Sequence, residues 1–174
     1  MHVRNFTVFA SVAILLMTII SCQKENDKGS TALSIHLTDN PYNATEVNVD
    51  IAAVRVNFGD TTNDEGWVNL DTHAGIYNLL DFQNGIDTVI AQAVVPTGTV
   101  KEIRFVLGSQ NSITIDNVNY PLTIPSGSQS GLKIKLNKRL NAGVDSLVVD
   151  FDAALSIIQT GTGEYKLNPV LKIK

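Results

Sequence analysis

The chain has 174 residues, 44% of them hydrophobic, with a formal net charge of −4 and a single cysteine. That length houses one domain, and the ordinary apolar fraction excludes collagen, a coiled coil and a wholly disordered chain. One cysteine builds no disulfide framework, and the acidic balance lacks the basic face of a broad nucleic-acid binder, so no nucleic-acid partner is expected.

The first predicted element is a leader. Met1 to Ser21 carries Arg4 near its start and an apolar run from Val12 to Ile20, the arrangement of a secretory signal. The run ends Ile19-Ile20-Ser21-Cys22, which resembles a bacterial lipobox, with an aliphatic residue at −3, a small residue at −1 and then the cysteine that becomes the lipid-bearing first residue. An uncleaved membrane anchor is the alternative, since about 20 apolar residues span a bilayer. Asn5, Thr7, Ser11 and Thr18 shorten the apolar core and favour cleavage. A chance free thiol at Cys22 is the other alternative.

Residues 22–30 then read as a lipidated flexible linker, polar from Gln23 to Ser30. Gln23-Lys24-Glu25-Asn26-Asp27 resembles the export signal that sends Bacteroidetes-type lipoproteins to the outer face of the outer membrane, although Asn26 interrupts its acidic run. The expected location is the cell envelope, lipid-anchored to the outer membrane and exposed at the cell surface, with the membrane as partner through the lipid on Cys22.

Residues 31–174 read as strands. Leu33, Ile35 and Leu37 share one face, and Ser34 and His36 share the other. Val47, Val49 and Ile51 set one parity while Val54, Val56 and Phe58 set the opposite. Because a period of two flips only when a residue is inserted, a β-bulge near Ala52-Ala53 is predicted. Asn84-Gly85 marks a turn, and Asp116-Asn117 between Ile113-Thr114-Ile115 and Val118-Asn119-Tyr120 predicts a tight hairpin. A strand begins near Gly98, and Leu132 to Leu136 and Leu147 to Phe151 alternate cleanly. Gly161-Thr162-Gly163 leads into a last strand whose Pro169 cannot donate to a ladder, marking an edge or a bulge. No helix-length window carries a 3.6-residue apolar stripe. The expected fold is all-β, a single antiparallel β-sandwich of immunoglobulin-like or transthyretin-like type.

The motifs Leu37-Thr38-Asp39-Asn40-Pro41, Tyr77-Asn78-Leu79-Leu80, Pro125-Ser126-Gly127, Ser130-Gly131-Leu132-Lys133, and Asp150-Phe151-Asp152-Ala153 with Ser156-Ile157 occur in this order. Together they resemble a bacterial lipoprotein family, the domain of unknown function 4382, over roughly Ser30 to Ile173. Asn40 and Asn78 stand where the family pattern leads one to expect Ala and Asp. The resemblance implies an extracytoplasmic β-sandwich, often in Bacteroidetes-type bacteria, and no established activity.

Catalytic patterns are sparse. Gly127-Ser128-Gln129-Ser130-Gly131 has Gln129 where a nucleophile elbow needs serine. His36, on the polar face of a strand, and His73, in a loop beside Asp71, read as solvated histidines. Neither HExxH, nor CxxC, nor an EF-hand loop is present. Asp150 and Asp152 share a strand face, and with Asp39 and Asp81 they form the candidate oxygen set for calcium, the one cofactor the chain suggests. Asp39 before Asn40-Pro41 reads equally as a local turn former.

Lys133 and Lys135 on one outward face, with Lys138 and Arg139 beyond, form a candidate binding patch for an extracellular protein or an anionic glycan, or else an ordinary charged face guarding an edge strand. Trp67, Tyr42 and Tyr120 are the candidate sugar platforms, with Trp67 equally a core plug. These features read as a non-enzymatic binding, adhesion or envelope-assembly module. The alternative is a small carbohydrate-active or other hydrolase using Asp150 and Asp152.

Overall fold

The structure, a computed structural model, describes residues 29–40, 42–59, 65–125 and 131–174. The leader, Cys22, the linker up to Lys28 and the Gly127 to Ser130 part of the glycine-rich loop lie outside the described residues. In chain order the elements are β1 (Ser30–Thr38), β2 (Glu46–Asn57), β3 (Trp67–Asn69), β4 (Asp71–Thr72), β5 (Gly75–Asn78), a 3-10 turn (Leu79–Phe82), β6 (Thr88–Pro96) and β7 (Gly98–Leu107). They continue with β8 (Ser112–Ile115), β9 (Val118–Thr123), β10 (Leu132–Leu140), β11 (Gly143–Phe151), α1 (Ala153–Ser156), β12 (Ile157–Gln159), β13 (Tyr165–Leu167) and β14 (Leu171–Ile173).

Two sheets face each other. One runs β14-β11-β1-β6-β4; the other runs β10-β7-β2-β8-β9-β13-β12, with β3 and β5 also paired to β2. The inward residues of β1 (Leu33, Ile35, Leu37) and β11 (Leu147, Val149, Phe151) meet those of β2 (Val49, Ile51, Val54, Val56) and β7 (Ile103, Phe105) in one continuous core. Alternation along each strand places these side chains, and their burial is the main gain offsetting the entropy of ordering the chain.

The parity flip in β2 has the expected cause. Against β7 the register steps between Ile51 and Ala53, leaving Ala52 as the inserted residue, so that apolar side chains face the core on both sides of the bulge. The β8–β9 hairpin also forms as predicted. Asp116 and Asn117 take φ of 49° and 62°, the double left-handed pair of a type I′ turn, which short polar side chains tolerate.

Two expectations change. The sheets are mixed rather than purely antiparallel: β1 runs parallel to β11, and β13 runs parallel to β9. A parallel pair needs a long crossover, and here the chain builds most of the facing sheet between β1 and β11. Pro169 does not lie within a last strand either. It falls in the crossover from β13, in one sheet, to β14, at the edge of the other. Its neighbours Asn168 and Val170 donate their N–H groups to the carbonyl and hydroxyl of Ser156, and proline has no N–H to satisfy.

Candidate functional site

Because β1 and β11 run parallel, their C-terminal ends arrive at the same end of the sandwich. There the motif residues of both strands meet the 3-10 turn, α1 and β14. Asp39 N–H donates to the Phe82 carbonyl at 3.0 Å, and the Thr38 hydroxyl reaches the carbonyls of Phe82 (2.9 Å) and Ile86 (2.8 Å). The end of β1 is thereby tied to the turn that follows β5.

Asp39, Asp150 and Asp152 are buried side by side at this end. Asp39 Oδ1 accepts from Ala153 N at 2.9 Å, and Oδ2 accepts from Gln83 Nε2 at 3.2 Å. Its carboxylate thus reaches across the fold to the first residue of α1 and is more than a local turn former. Asp152 caps the same short helix through Oδ1, which accepts from Leu155 N at 3.1 Å. Asp152 Oδ2 takes Lys172 Nζ at 3.0 Å, and Asp150 Oδ2 takes Lys174 Nζ at 3.3 Å. Asn40 Nδ2 bridges the pair, 2.9 Å from Asp150 Oδ2 and 3.3 Å from Asp152 Oδ2. Asp150 Oδ1 is buried without a hydrogen-bond partner among the described residues.

The environment drives two of these carboxyls in opposite directions. Burial, aided by the charge of Asp150, pushes Asp39 up to about 6 against the hydrogen bonds it accepts from Ala153 N and Gln83. For Asp152 burial also pulls upward, but the hydrogen bonds from Lys172, Leu155 N and Asn40, with the Lys172 charge, outweigh it and hold the group below its ordinary value. Such a split resembles an acid and base pair. Here both oxygens of Asp39 and both of Asp152 are already engaged in joining β1, the 3-10 turn, α1 and β14.

Of the calcium candidates, the structure brings Asp39, Asp150 and Asp152 together and leaves Asp81 out. Asp81 is exposed and accepts from Asn78 Nδ2 at 3.0 Å on its own turn. Among the described residues no group of three His, Cys, Asp or Glu side chains is placed to hold a metal ion. The Lys172 and Lys174 ammonium groups occupy the positions where a cation would compensate the pair.

The lysine patch divides. Lys133, Lys135 and Arg139 are exposed on β10, an edge strand, whereas Lys138 pairs at 3.2 Å with Asp145 on β11, the strand that follows in the other sheet. Trp67 is not a core plug. It lies half-buried on β3 with the Arg104 guanidinium 4.1 Å from its ring centroid. Tyr120 packs against Tyr165 with centroids 5.1 Å apart, and Tyr42 packs against the core.

Sequence reasoning missed one constellation. His36 is not merely solvated: Nδ1 lies 2.6 Å from Asp87 Oδ1 and Nε2 lies 3.1 Å from Ser34 Oγ. Ser34 and His36 sharing a strand face was legible; the arrival of Asp87 beside them depends on how β1 pairs with β6. Beside Ser34 lies a shallow cleft of about 430 Å³, walled by Ala32, Ala93, Val94 and Val144 together with the polar Asp71 and Gln92. His73 hydrogen-bonds through Nδ1 to the Val89 carbonyl at 3.3 Å.

The model of the family described as a domain of unknown function, DUF4382, matches residues 30–169. The chain belongs to the DUF4382 family. No curated protein and no solved structure matches it. Asn40 and Asn78 both do structural work. Asn40 bridges Asp150 and Asp152, and Asn78 Oδ1 accepts from Val47 N at 3.0 Å and caps the 3-10 turn at Leu80 N.

Proposed function

We propose that this protein is an outer-membrane lipoprotein, exposed at the cell surface, whose β-sandwich serves as a non-enzymatic binding, adhesion or envelope-assembly module. The observation that carries the reading is Cys22 at the end of an apolar leader, followed by a polar stretch and then by β1 at Ser30. Acyl chains on that cysteine would hold the sandwich at the membrane, since each buried methylene contributes about 0.8 kcal/mol and two or more chains anchor stably. The engagement of Asp150 and Asp152 with Lys174, Lys172 and Asn40 speaks for a structural role of that pair over a catalytic one.

The test is Cys22→Ala in the native host with membrane fractionation and protease shaving of intact cells. The wild-type protein should fractionate with the outer membrane and be shaved, and the variant should leave the membrane fraction. A variant that stays in the membrane overturns the anchor, and a wild type resistant to shaving overturns surface exposure.

A hydrolytic reading has one specific observation in its favour, the Ser34, His36 and Asp87 contacts beside a shallow cleft. The order hydroxyl, imidazole, carboxylate is that of an activated serine. Against it stands the position of Ser34 in the middle of β1, paired on both sides by β11 and β6. Backbone N–H groups there are committed to ladders and do not form an oxyanion hole. Labelling with a fluorophosphonate decides: Ser34-dependent labelling would replace the binding reading, and its absence removes the hydrolase.

A further inference from the structure

The outer face of the second sheet carries a row of cations. Arg55 on β2 lies in register with Arg104 on β7, and Arg104 lies in register with Lys133 on β10. With strands about 4.8 Å apart, the row spans about 10 Å. Like charges directly opposite one another weaken a sheet, and the two arginines are half-buried, which removes part of the water that would screen them. Arg55 Nε and Arg104 Nε are both buried without a hydrogen-bond partner among the described residues. Among the described residues, the carboxylate within ion-pair reach of Arg104 is that of buried Glu102, 4.0 Å from Nη2 at the outer limit of an ion pair, and its Oε1 likewise has no hydrogen-bond partner. Lys135, opposite Glu102, extends the patch. All this occurs in a chain whose net charge is −4.

We infer that this row is a binding site for an acidic polysaccharide, its carboxylate or sulfate groups bridging Arg55, Arg104 and Lys133. Guanidinium forks pair with such oxyanions in two-pronged fashion. A linear cation row suits a polymer that repeats its charge, and the Arg104 guanidinium is held in place by stacking over the Trp67 ring, 4.1 Å from its centroid. An acidic peptide would be expected instead to add as a strand to the β10 edge, and Lys133 and Lys135 on that edge disfavour strand addition. The inference names a ligand class for the binding module proposed above and rests on that reading.

The experiment uses full-length protein purified in detergent, titrated with polygalacturonate, dextran sulfate, neutral dextran and polyglutamate. Binding to the carboxylated or the sulfated polysaccharide, and not to dextran or polyglutamate, is expected. Arg104→Gln should weaken it by about tenfold or more, as loss of a charge-assisted hydrogen bond does. Lys133→Gln, at an exposed edge position, should weaken it without any effect on folding. Lys138→Gln, which removes a cation held outside the row by Asp145, should leave it unchanged. Failure to bind either acidic polysaccharide, equal binding to dextran or polyglutamate, or an equal loss in all the variants overturns the site. Cys22→Ala protein should bind as the wild type does, so failure of the anchor and failure of the ligand assignment are read separately.

Discussion

Asp39→Asn tests whether the carboxylate cluster at the end of β1 is held under strain. Asp39 is 2% exposed, and its carboxyl is raised from 3.8 to about 6 by burial first and by Asp150 last among the causes. The native state therefore binds this proton more tightly than the unfolded chain does. The resulting stabilisation is full below pH 3.8 and is lost as pH rises through about 6. A shift of this size corresponds to about 3 kcal/mol.

An asparagine stays neutral at every pH. Its Oδ1 keeps the bond from Ala153 N, while its amide requires Gln83 to turn over and offer oxygen. The variant should match the wild type near pH 4 and exceed it in stability by about 1–3 kcal/mol at pH 7.5, the lower figure allowing for a weakened bond to Ala153. Urea unfolding followed by the emission of Trp67, the only tryptophan, gives the free energy at each pH. Stability curves that run parallel for the two proteins between pH 4 and 7 would refute the reasoning, because the difference isolates the titration of Asp39.

Three further outcomes are expected. Phe151→Ala, which empties a fully buried position on β11, should cost about 3–5 kcal/mol, seen as a lower urea midpoint with an unchanged slope. Asn117→Val should cost about 1–2 kcal/mol in thermal melts, because a β-branched residue is strained at the φ of 62° that the β8–β9 turn requires. Calcium followed by chelator should leave the melting temperature unchanged, since Lys172 and Lys174 already compensate Asp152 and Asp150; a rise at millimolar calcium would restore a cation to that site.

The strands and their inward faces were legible because a period of two needs only local information. Leu33, Ile35 and Leu37 had to be buried together, and the parity change between Ile51 and Val54 demanded an inserted residue, which is Ala52. The type I′ turn at Asp116-Asn117 was legible for the same reason, since its backbone angles favour particular residues. Strand direction carries no such mark. Nothing local in β1 or β11 states that they run parallel, and an alternating strand looks the same whichever way its neighbour points.

The candidate sites divide along the same line. Asp150 and Asp152 were visible as a pair because they stand two apart in the chain, although Asp152 lies just past β11 as the cap of α1, whereas their union with Asp39 follows from the parallel pairing of β1 and β11. Asp81 dropped out because its turn points it to solvent and to Asn78. Arg55 and Arg104 were each readable as outward residues between buried ones, yet their row with Lys133 exists only because β2, β7 and β10 are neighbours. By itself the sequence determined the alternating strands and the β8–β9 turn, each set by the chemistry of adjacent residues. Tertiary structure alone decided which charges meet, because residues far apart in the chain become neighbours only through strand order and register.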